Sequence, residues 1–376
     1  MSYKVLVTGG AGFIGSHLVD GLIRDGHDVT IVDSLVEQVH PGGNKPSYLN
    51  SEAEFIKADV RDEDVMTGLF KDHEVVFHEA SAVGVAQSMY QIGHYMDANT
   101  GATARMWDWL VNKENSVKKF IVASSMSLYG EGKYECPKCG VVYPQLRGME
   151  QMKKQEWEVK CPSCKKQLKP VPTDEMKPPF TNSIYALGKK DQEEMSIILG
   201  KTYGIPSVAL RYFNVYGSRQ ALSNPYTGVC AIFSSRIKND NPPVITEDGG
   251  QSRDFIHVSD IVRANIMAMN SSKADYEVFN VGSGKPISIK EIAEVLIKAQ
   301  KKTLKPELTN KFRKGDIRHC YADLSRIQKR LGFKPGVKFE DGIKELAGWV
   351  ADQSGENAVD GFEQAKKELD EKKLLV

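Results

Sequence analysis

The sequence predicts an α/β protein built around a doubly wound parallel sheet. Short apolar runs alternate with segments of helical periodicity in the first half of the chain, which is typical of a sheet covered on both faces. A glycine-rich turn joins the first apolar run to the first helical segment. The length of 376 residues leaves room for a second, smaller lobe.

The predicted elements follow one another in a regular order. Strands are expected at residues 5–7, 29–32, 75–77, 120–123 and 208–212, and helices at 13–24, 99–111, 287–299 and 339–350. The pattern becomes mixed after residue 219. We therefore predict a sheet domain at 1–218, a smaller lobe at 219–354 that partly returns to the sheet domain, and a charged, solvated C-terminal helix at 355–376.

The glycine-rich turn carries the spacing of a dinucleotide site. Gly9, Gly12 and Gly15 stand between the first strand and the first helix, where glycine allows a tight turn and lets a pyrophosphate approach the helix N-terminus. Asp33 closes the second strand, and a carboxylate there would accept hydrogen bonds from ribose and repel a 2′-phosphate. The sequence therefore favours NAD over NADP.

Two further groups of polar residues indicate chemistry at the same sheet edge. The strand at 120–123 runs into a turn rich in hydroxyl groups that contains Ser125. Tyr185 and Lys189 are four residues apart and would share one helix face, where the ammonium would favour the phenolate and make Tyr185 a plausible base.

Asp59 and Val60 follow a third strand, where they would face the adenine.

The order of the motifs resembles the extended short-chain dehydrogenase/reductase family, in its nucleotide-sugar epimerase and dehydratase group. The resemblance runs from residue 4 to about residue 349, outside the cysteine-bearing segment described below. It rests on TGGAGFIG at 8–15, HEA at 78–80, SSMSLYG at 124–130, YALGK at 185–189, RYFNVYG at 211–217, RDFIHV at 253–258, FNVGSG at 279–284 and RKGD at 313–316.

This resemblance implies a Rossmann-type sheet domain that binds NAD, a smaller lobe that binds a nucleotide-diphosphate sugar, and a homodimer. It assigns catalysis to Ser125, Tyr185 and Lys189. The implied cofactor contacts are Gly9, Gly12, Phe13, Ile14, Gly15, Asp33, Asp59, Val60, Ala80, Asn99, Tyr185 and Lys189. The implied substrate contacts are Ser127, Asn214, Arg253, Arg313, Asp316 and Cys320.

The resemblance also narrows the reaction. Related dehydratases carry an Asp-Glu pair directly after the catalytic hydroxyl residue, whereas this chain has Met126 and Ser127 there. This favours 4-epimerisation through a transient 4-keto sugar. The overall likeness is greatest to epimerases that convert dTDP-L-rhamnose to dTDP-6-deoxy-L-talose, with UDP-glucose/UDP-galactose 4-epimerases next. A dehydratase or reductase on this fold, or a binding module without activity, remains an alternative.

Four of the six cysteines form two CxxC pairs within an apparent insertion at 133–172. Cys136 and Cys139 form the first pair, and Cys161 and Cys164 the second. Two such knuckles can supply four thiolates to one tetrahedral zinc ion, which leaves no open coordination position. We therefore predict a structural zinc site of the zinc-ribbon type.

Charge and hydropathy exclude several kinds of partner. The formal net charge is +1, so the chain offers no bulk electrostatic attraction for nucleic acid or an anionic membrane. No apolar run approaches the roughly 18–20 residues of a spanning helix, and no signal peptide is recognisable at the N-terminus. A cytoplasmic enzyme without nucleic-acid or membrane partners is expected.

Overall fold

Strands and helices alternate through the first part of the chain. The computed structural model describes residues 2–376, apart from the side chains of residues 356 and 357. The first elements are β1 Lys4–Thr8, α1 Phe13–Arg24, β2 Asp28–Asp33, β3 Glu54–Lys57, α2 Glu63–Asp72, β4 Val75–His78, α3 Val85–Ser88, α4 Ile92–Tyr95, a π-helical turn Met96–Gly101, α5 Ala102–Asn112 and β5 Lys119–Ser125.

The cysteine-bearing insertion folds as a small unit with its own sheet. It contains β6 Lys133–Cys136, β7 Gly140–Val142, α6 Met149–Lys153 and β8 Lys169–Val171. The strands pair antiparallel in the order β7-β6-β8. Its small core consists of Tyr134, Cys136, Val159, Cys161 and Leu168.

The remaining elements complete the sheet domain and form the second lobe. They are α7 Ile184–Tyr203, β9 Ser207–Tyr212, β10 Asn214–Tyr216, α8 Val229–Lys238, β11 Val244–Ile245, β12 Ser252–His257, α9 Val258–Met269, β13 Val278–Val281, β14 Pro286–Ser288, α10 Ile289–Ala299, β15 Glu307–Leu308, β16 His319–Cys320, α11 Ser325–Leu331, α12 Phe339–Asp352 and α13 Phe362–Glu371.

The main sheet has seven parallel strands in the order β13-β9-β5-β4-β1-β2-β3. The strand order reverses between β1 and β4, which is the switch point where ligands bind in doubly wound sheets. The strands β4 and β9 are buried along their whole length, including their polar residues His78, Ser207 and Arg211. The predicted α/β fold class is confirmed.

The smaller lobe is built on β10, β12, β14 and β16, of which β16 pairs with β12. Apolar residues of α8, α10 and α12 form its core. Between these elements, α9 packs against α1 and β13 joins the main sheet beside β9. Residues 258–281 therefore return to the sheet domain.

The C-terminal segment is more firmly attached than a solvated helix would be. Ala365 and Leu369 of α13 are buried. The carboxylate of Glu368 accepts hydrogen bonds from the phenols of Tyr90 in the sheet domain and Tyr226 in the smaller lobe, between which the cleft lies. No helix in residues 2–376 is long and apolar enough to cross a membrane.

The last residues of the chain pair with the segment that carries Arg313. The Phe312 and Val376 backbones exchange two hydrogen bonds of 2.9 Å, and Lys314 N donates to Leu374 O at 2.9 Å. The side chains of the tail do not predict this pairing, because the hydrogen bonds join backbone groups alone.

Candidate functional site

The glycine turn after β1 is packed against itself and against the loop after β4. Gly9 has a φ of +68°, and a Cβ there would lie 2.7 Å from the backbone nitrogen of Ala80. A Cβ on Gly15 would lie 2.3 Å from the Gly9 carbonyl oxygen. Gly12 caps α1, which begins with Phe13. Only glycine fits here, and the turn leaves the helix N-terminus at the switch point.

Asp33 connects the end of β2 to this turn. Its carboxylate accepts hydrogen bonds from Ala11 N at 3.1 Å and from Leu35 N at 2.9 Å. The carboxylate therefore lies beside the glycine turn, where a cofactor ribose would be placed by the fold.

Asp59 is engaged in an ion pair at the surface. Arg61 donates to it from the backbone and from the guanidinium, at 2.9, 2.8 and 2.6 Å. These hydrogen bonds outweigh the effect of burial and hold the pKa of Asp59 below its usual value. Val60 packs against the hydrophobic core. If Asp59 contacts the adenine, its carboxylate has to bind the adenine and Arg61 at the same time.

Asn99 holds the loop that follows β4. Its buried side chain accepts from Ala82 N at 2.8 Å and donates to Ala82 O at 3.1 Å. Ser81 donates to the same amide oxygen at 3.0 Å. Because the loop begins at Ala80, which contacts the glycine turn, Asn99 shapes the cofactor side of the cleft even though its own amide is already paired.

The structure brings the predicted catalytic residues together. Ser125 ends β5, and Tyr185 lies in the first turn of α7, which packs against β5. Ser183 caps α7 by accepting from Ala186 N, and Tyr185 N donates to Ser88 Oγ at 3.0 Å. Burial raises the pKa of Tyr185 to about 12, while interaction with the Ser125 hydroxyl opposes this shift.

Lys189 lies one helical turn farther along α7 and is 3% exposed. Its ammonium donates to Ala123 O at 2.9 Å. Burial lowers the pKa of Lys189 to about 8, and the charge of Glu79 counteracts part of this effect. An ammonium is thereby held under the sheet edge near the phenol.

Glu79 is a candidate site residue that the sequence analysis quoted only as part of a motif. Burial raises the pKa of its carboxyl group to about 7, opposed by a hydrogen bond from Tyr212 and by the charge of Lys189. The sequence offered one signal for this residue, since Glu79 directly follows the buried strand β4. A carboxyl group at the end of a buried strand rarely occurs without a partner.

On the other side of the cleft, Asp316 lies between two predicted arginines. Arg313 contacts its carboxylate at 3.0 Å, and Arg253 Nη2 lies 3.7 Å from it. Burial would raise the pKa of Asp316, but the arginine charges together bring it below the usual value. Arg253 also donates to the carbonyl of Ile317 at 2.7 Å, so it is held against the same segment.

Two predicted substrate contacts have buried polar atoms without a hydrogen-bond partner among the described residues. They are Ser127 Oγ and Asn214 Oδ1. A buried polar atom without a partner is costly, so both positions fit a ligand that would supply the missing hydrogen bond. Together with the glycine turn and Asp33, these atoms are polar groups that could bind NAD and a nucleotide sugar.

Comparison with known proteins decides the family. The model described as the NAD dependent epimerase/dehydratase family matches residues 5–145, and the GDP-mannose 4,6 dehydratase model matches residues 167–346. The dTDP-L-rhamnose 4-epimerase of Burkholderia thailandensis is 32% identical over 356 residues, which cover 93% of this chain and 95% of that protein.

The chain belongs to the extended short-chain dehydrogenase/reductase family of nucleotide-sugar epimerases. UDP-glucose 4-epimerase of Thermotoga maritima, solved with UDP-glucose, is similar with a TM-score of 0.75 and 31% identity, covering 93% of this chain and 98% of that one. UDP-glucuronic acid 4-epimerase of Bacillus cereus, solved with UDP-glucuronic acid and NAD, has a TM-score of 0.74 and 27% identity, covering 93% and 99%. Epimerases of this family are isomerases that need NAD, so the predicted enzyme class and cofactor are confirmed.

Cys320 occupies a different environment from the other predicted substrate contacts of this epimerase. Its thiol is completely buried, lies in the main hydrophobic core and contacts Thr173 Oγ1 at 3.8 Å. Burial raises its pKa to about 12. The residue is therefore a small core side chain, and its contact with a sugar stays a prediction.

The insertion of this epimerase gathers its four cysteines at one point. The sulfur atoms of Cys136, Cys139, Cys161 and Cys164 all lie within 4.8 Å of one another. Backbone N–H groups of residues 138 and 139 point to the Cys136 sulfur, and those of 163 and 164 point to the Cys161 sulfur. This is the geometry of two knuckles facing each other.

Proposed function

We propose that this epimerase inverts C4 of a nucleotide-activated sugar, with dTDP-L-rhamnose as the preferred substrate and dTDP-6-deoxy-L-talose as the product. The observation that carries the proposal is the grouping of Ser125, Tyr185 and Lys189 at the carboxyl edge of the sheet, together with the separate cluster of Arg253, Arg313 and Asp316. The first group would provide acid–base groups, and the second would provide cations for a diphosphate.

Tyr185 acts as the base toward the sugar O4 hydroxyl. With a pKa near 12 when buried beside Ser125 alone, the phenol is protonated at neutral pH. The positive charges of Lys189 and of an oxidised nicotinamide favour the phenolate, which can then take the O4 proton. Ser125 orients O4 by a hydrogen bond. NAD, held by the glycine turn and Asp33, would supply a reversible acceptor for the C4 hydride.

Inversion requires that the 4-keto sugar turn over in the site before it is reduced. Tyr185 then returns its proton to O4, so neither the protein nor the cofactor undergoes net change. The 4-keto sugar has to rotate so that its other face meets the nicotinamide, while the nucleotide stays bound. Anchoring by the diphosphate and the nucleotide, rather than by the sugar, meets this requirement.

Arg253, Arg313 and Asn214 are proposed to provide that anchor. Planar guanidinium groups suit a diphosphate because they donate two hydrogen bonds in a fixed geometry. The unpaired Asn214 Oδ1 could accept from an N–H or O–H of the nucleotide sugar. Asp316, held by both arginines, is proposed to accept from the nucleotide ribose.

The residues after Ser125 argue against a 4,6-dehydratase. Elimination of water needs an acid and a base next to the catalytic hydroxyl, but Met126 is buried and Ser127 has no carboxyl group. UDP-glucose/UDP-galactose 4-epimerisation is the runner-up, because the fold also resembles an enzyme solved with UDP-glucose. The two proposals share the same residues and differ in the nucleotide and sugar.

The proposal is tested by incubating the purified protein separately with dTDP-L-rhamnose and with UDP-galactose, and following C4 inversion by NMR. Faster formation of the C4 epimer from dTDP-L-rhamnose is expected. Faster conversion of UDP-galactose would favour the runner-up. Accumulation of a 4-keto product or of free NADH would instead indicate a dehydratase or a reductase.

We also propose that the cysteine cluster binds one structural zinc ion. Four thiolates at about 2.3 Å from a central zinc would lie about 3.8 Å apart. The 3.4 Å separation of the Cys136 and Cys164 sulfurs is close to this spacing. All four ligands would be protein thiolates, so the ion would stabilise the insertion rather than take part in catalysis. Elemental analysis of the purified protein should give one zinc per chain.

A homodimer through helices of the sheet domain remains our proposal for the assembly. Ile198 and Tyr203 of α7 are both exposed large apolar side chains, which a partner subunit could cover. Sedimentation analysis should give twice the chain mass. A monomer would contradict the proposal.

A further inference from the structure

We infer that the cysteine-bearing insertion is a positioning element of the substrate site, because it contacts the segment 312–319 at several points. The inference rests on the proposed function, in which Arg313 and Asp316 of this segment bind the nucleotide diphosphate sugar. It assigns to the insertion a role in substrate affinity in addition to its own stability. Arg147, Trp157 and Glu158 of the insertion carry the contacts.

Arg147 makes the central contact. Its side chain is 1% exposed and forms a bidentate ion pair with Glu247 of the second lobe, which is also 1% exposed, through two hydrogen bonds of 2.9 Å. The same guanidinium donates to the Asp316 carbonyl oxygen at 3.3 Å and to the Trp157 carbonyl oxygen at 2.9 Å. One buried cation thus joins the insertion, the second lobe and the substrate segment.

Glu158 fixes the end of the same segment. It accepts from Arg318 at 2.7 and 3.0 Å, and it contacts His319 Nε2 at 3.2 Å. Arg318 in turn contacts Glu247 at 2.9 Å, so the Arg147 and Glu158 contacts belong to one network. Buried ion pairs of this kind favour a single arrangement of the chain, because a displaced partner would leave a charge without compensation.

An apolar contact fixes the beginning of the segment. Phe312 packs edge to face against Trp157, with ring centroids 6.3 Å apart, and Met152 completes this small cluster. Arg313 follows directly in the chain. The insertion therefore contacts the segment at Phe312, at the backbone of Asp316 and at Arg318, and these contacts enclose the stretch that carries Arg313 and Asp316.

The distribution of these contacts leads to a specific expectation. Loss of Arg147 should loosen the segment that carries Arg313 and Asp316, while the glycine turn and Asp33 remain as they are. Binding of the nucleotide portion is the same in the ground state and in the transition state, so KM should rise more than kcat falls. NAD content should not change.

The experiment measures binding of dTDP and of UDP by calorimetry to the NAD-loaded protein and to Arg147→Met. An increase in Kd of about three- to thirtyfold is expected for whichever nucleotide binds the unaltered protein, with unchanged NAD content. The matched control is Lys160→Met, which removes an exposed pair with Glu156 in the same insertion and should leave Kd unchanged.

Trp157→Leu is the second variant, because Arg147→Met leaves buried carboxylates without their partner and could prevent folding. It removes the aromatic contact with Phe312 without changing charge, and it should also raise Kd. An unchanged Kd in a folded variant, or a parallel loss of NAD, would overturn the inference. Failure of the unaltered protein to bind either nucleotide would overturn it as well. Absence of epimerase activity with nucleotide binding intact would contradict only the proposed function.

Discussion

The phenol of Tyr212 donates a 2.7 Å hydrogen bond to the carboxyl group of Glu79 at the edge of the sheet. Asn265 donates to the same phenol at 2.7 Å, so the tyrosine is fixed from both sides. Glu79 is thereby held where its charge raises the pKa of Lys189. A carboxyl group that is absent from the predicted catalytic set thus influences a residue within it.

Glu79→Gln should move the alkaline limb of the activity profile to lower pH. The Lys189 ammonium is present below its pKa of about 8 and is lost as the pH rises through that value. A carboxylate stabilises the ammonium, so its removal should lower the pKa of Lys189 further. The measurement is kcat/KM against pH for both proteins.

Glu175→Gln is the control for this prediction. The carboxyl group of Glu175 is also buried enough for its pKa to be raised, but it accepts from the backbone nitrogen of Asn280, away from Lys189. The shape of its profile should match that of the unaltered protein. A Glu79→Gln profile without an alkaline shift would show that Glu79 has no electrostatic influence on catalysis.

Tyr185→Phe should reduce kcat by about 10²- to 10⁴-fold, because it removes the group that exchanges the O4 proton. NAD should remain bound, since the glycine turn and Asp33 are unaffected. Tyr203→Phe removes a phenol from the exposed end of the same helix and should leave the rate unchanged. For both variants, turnover is measured by NMR and NAD content by absorbance. Full activity in Tyr185→Phe would show that another group acts as the base.

Gly15→Ala should strongly reduce NAD content. The added methyl group would lie 2.3 Å from the Gly9 carbonyl oxygen, so the turn would have to open. Gly348→Ala is the matched control in α12, because nothing lies within 4 Å of its Cβ position. That variant should keep its NAD and gain about 0.5–1 kcal/mol in the free energy of unfolding, since alanine favours helix. Equal NAD content in both variants would be inconsistent with this view of the turn.

Cys161→Ser should abolish the predicted zinc binding and lower the midpoint of thermal unfolding, because one of four ligands is lost. Cys230→Ala, at a buried cysteine of the second lobe, should keep the metal. Elemental analysis and calorimetry distinguish the two. If the unaltered protein contains no metal, or unfolds at the same temperature after its metal is removed, zinc has no structural role.

Local sequence patterns were sufficient to predict most strands of the sheet domain. The helix predicted at 13–24 coincides with α1, and the five predicted strands lie within β1, β2, β4, β5 and β9. The glycine spacing identified the turn because its steric demands are local. The third strand, expected before Asp59, is the short and partly buried β3. The strand β13 was not predicted, because it lies far along the chain from its neighbour β9.

The features that the sequence did not predict depend on contacts between segments that are far apart in the chain. The pairing of the chain end with residues 312–314 uses backbone groups and has no side-chain signature. Arg147 and Glu247 are 100 residues apart, and each alone is typical of a solvated surface. The pairing of the Asn99 amide with the backbone of Ala82 was likewise not visible in the sequence, and the contact of Asn99 with the cofactor stays a prediction. Such partnerships arise only when the whole chain is folded.

The most direct test of C4 chemistry uses dTDP-L-rhamnose that carries deuterium at C4. If hydride leaves C4, stays on the bound cofactor and returns to the opposite face, the C4 epimer should contain deuterium at that carbon even in ordinary water. NMR and mass spectrometry of the product measure this. An epimer that has exchanged its C4 deuterium for solvent hydrogen would contradict the account.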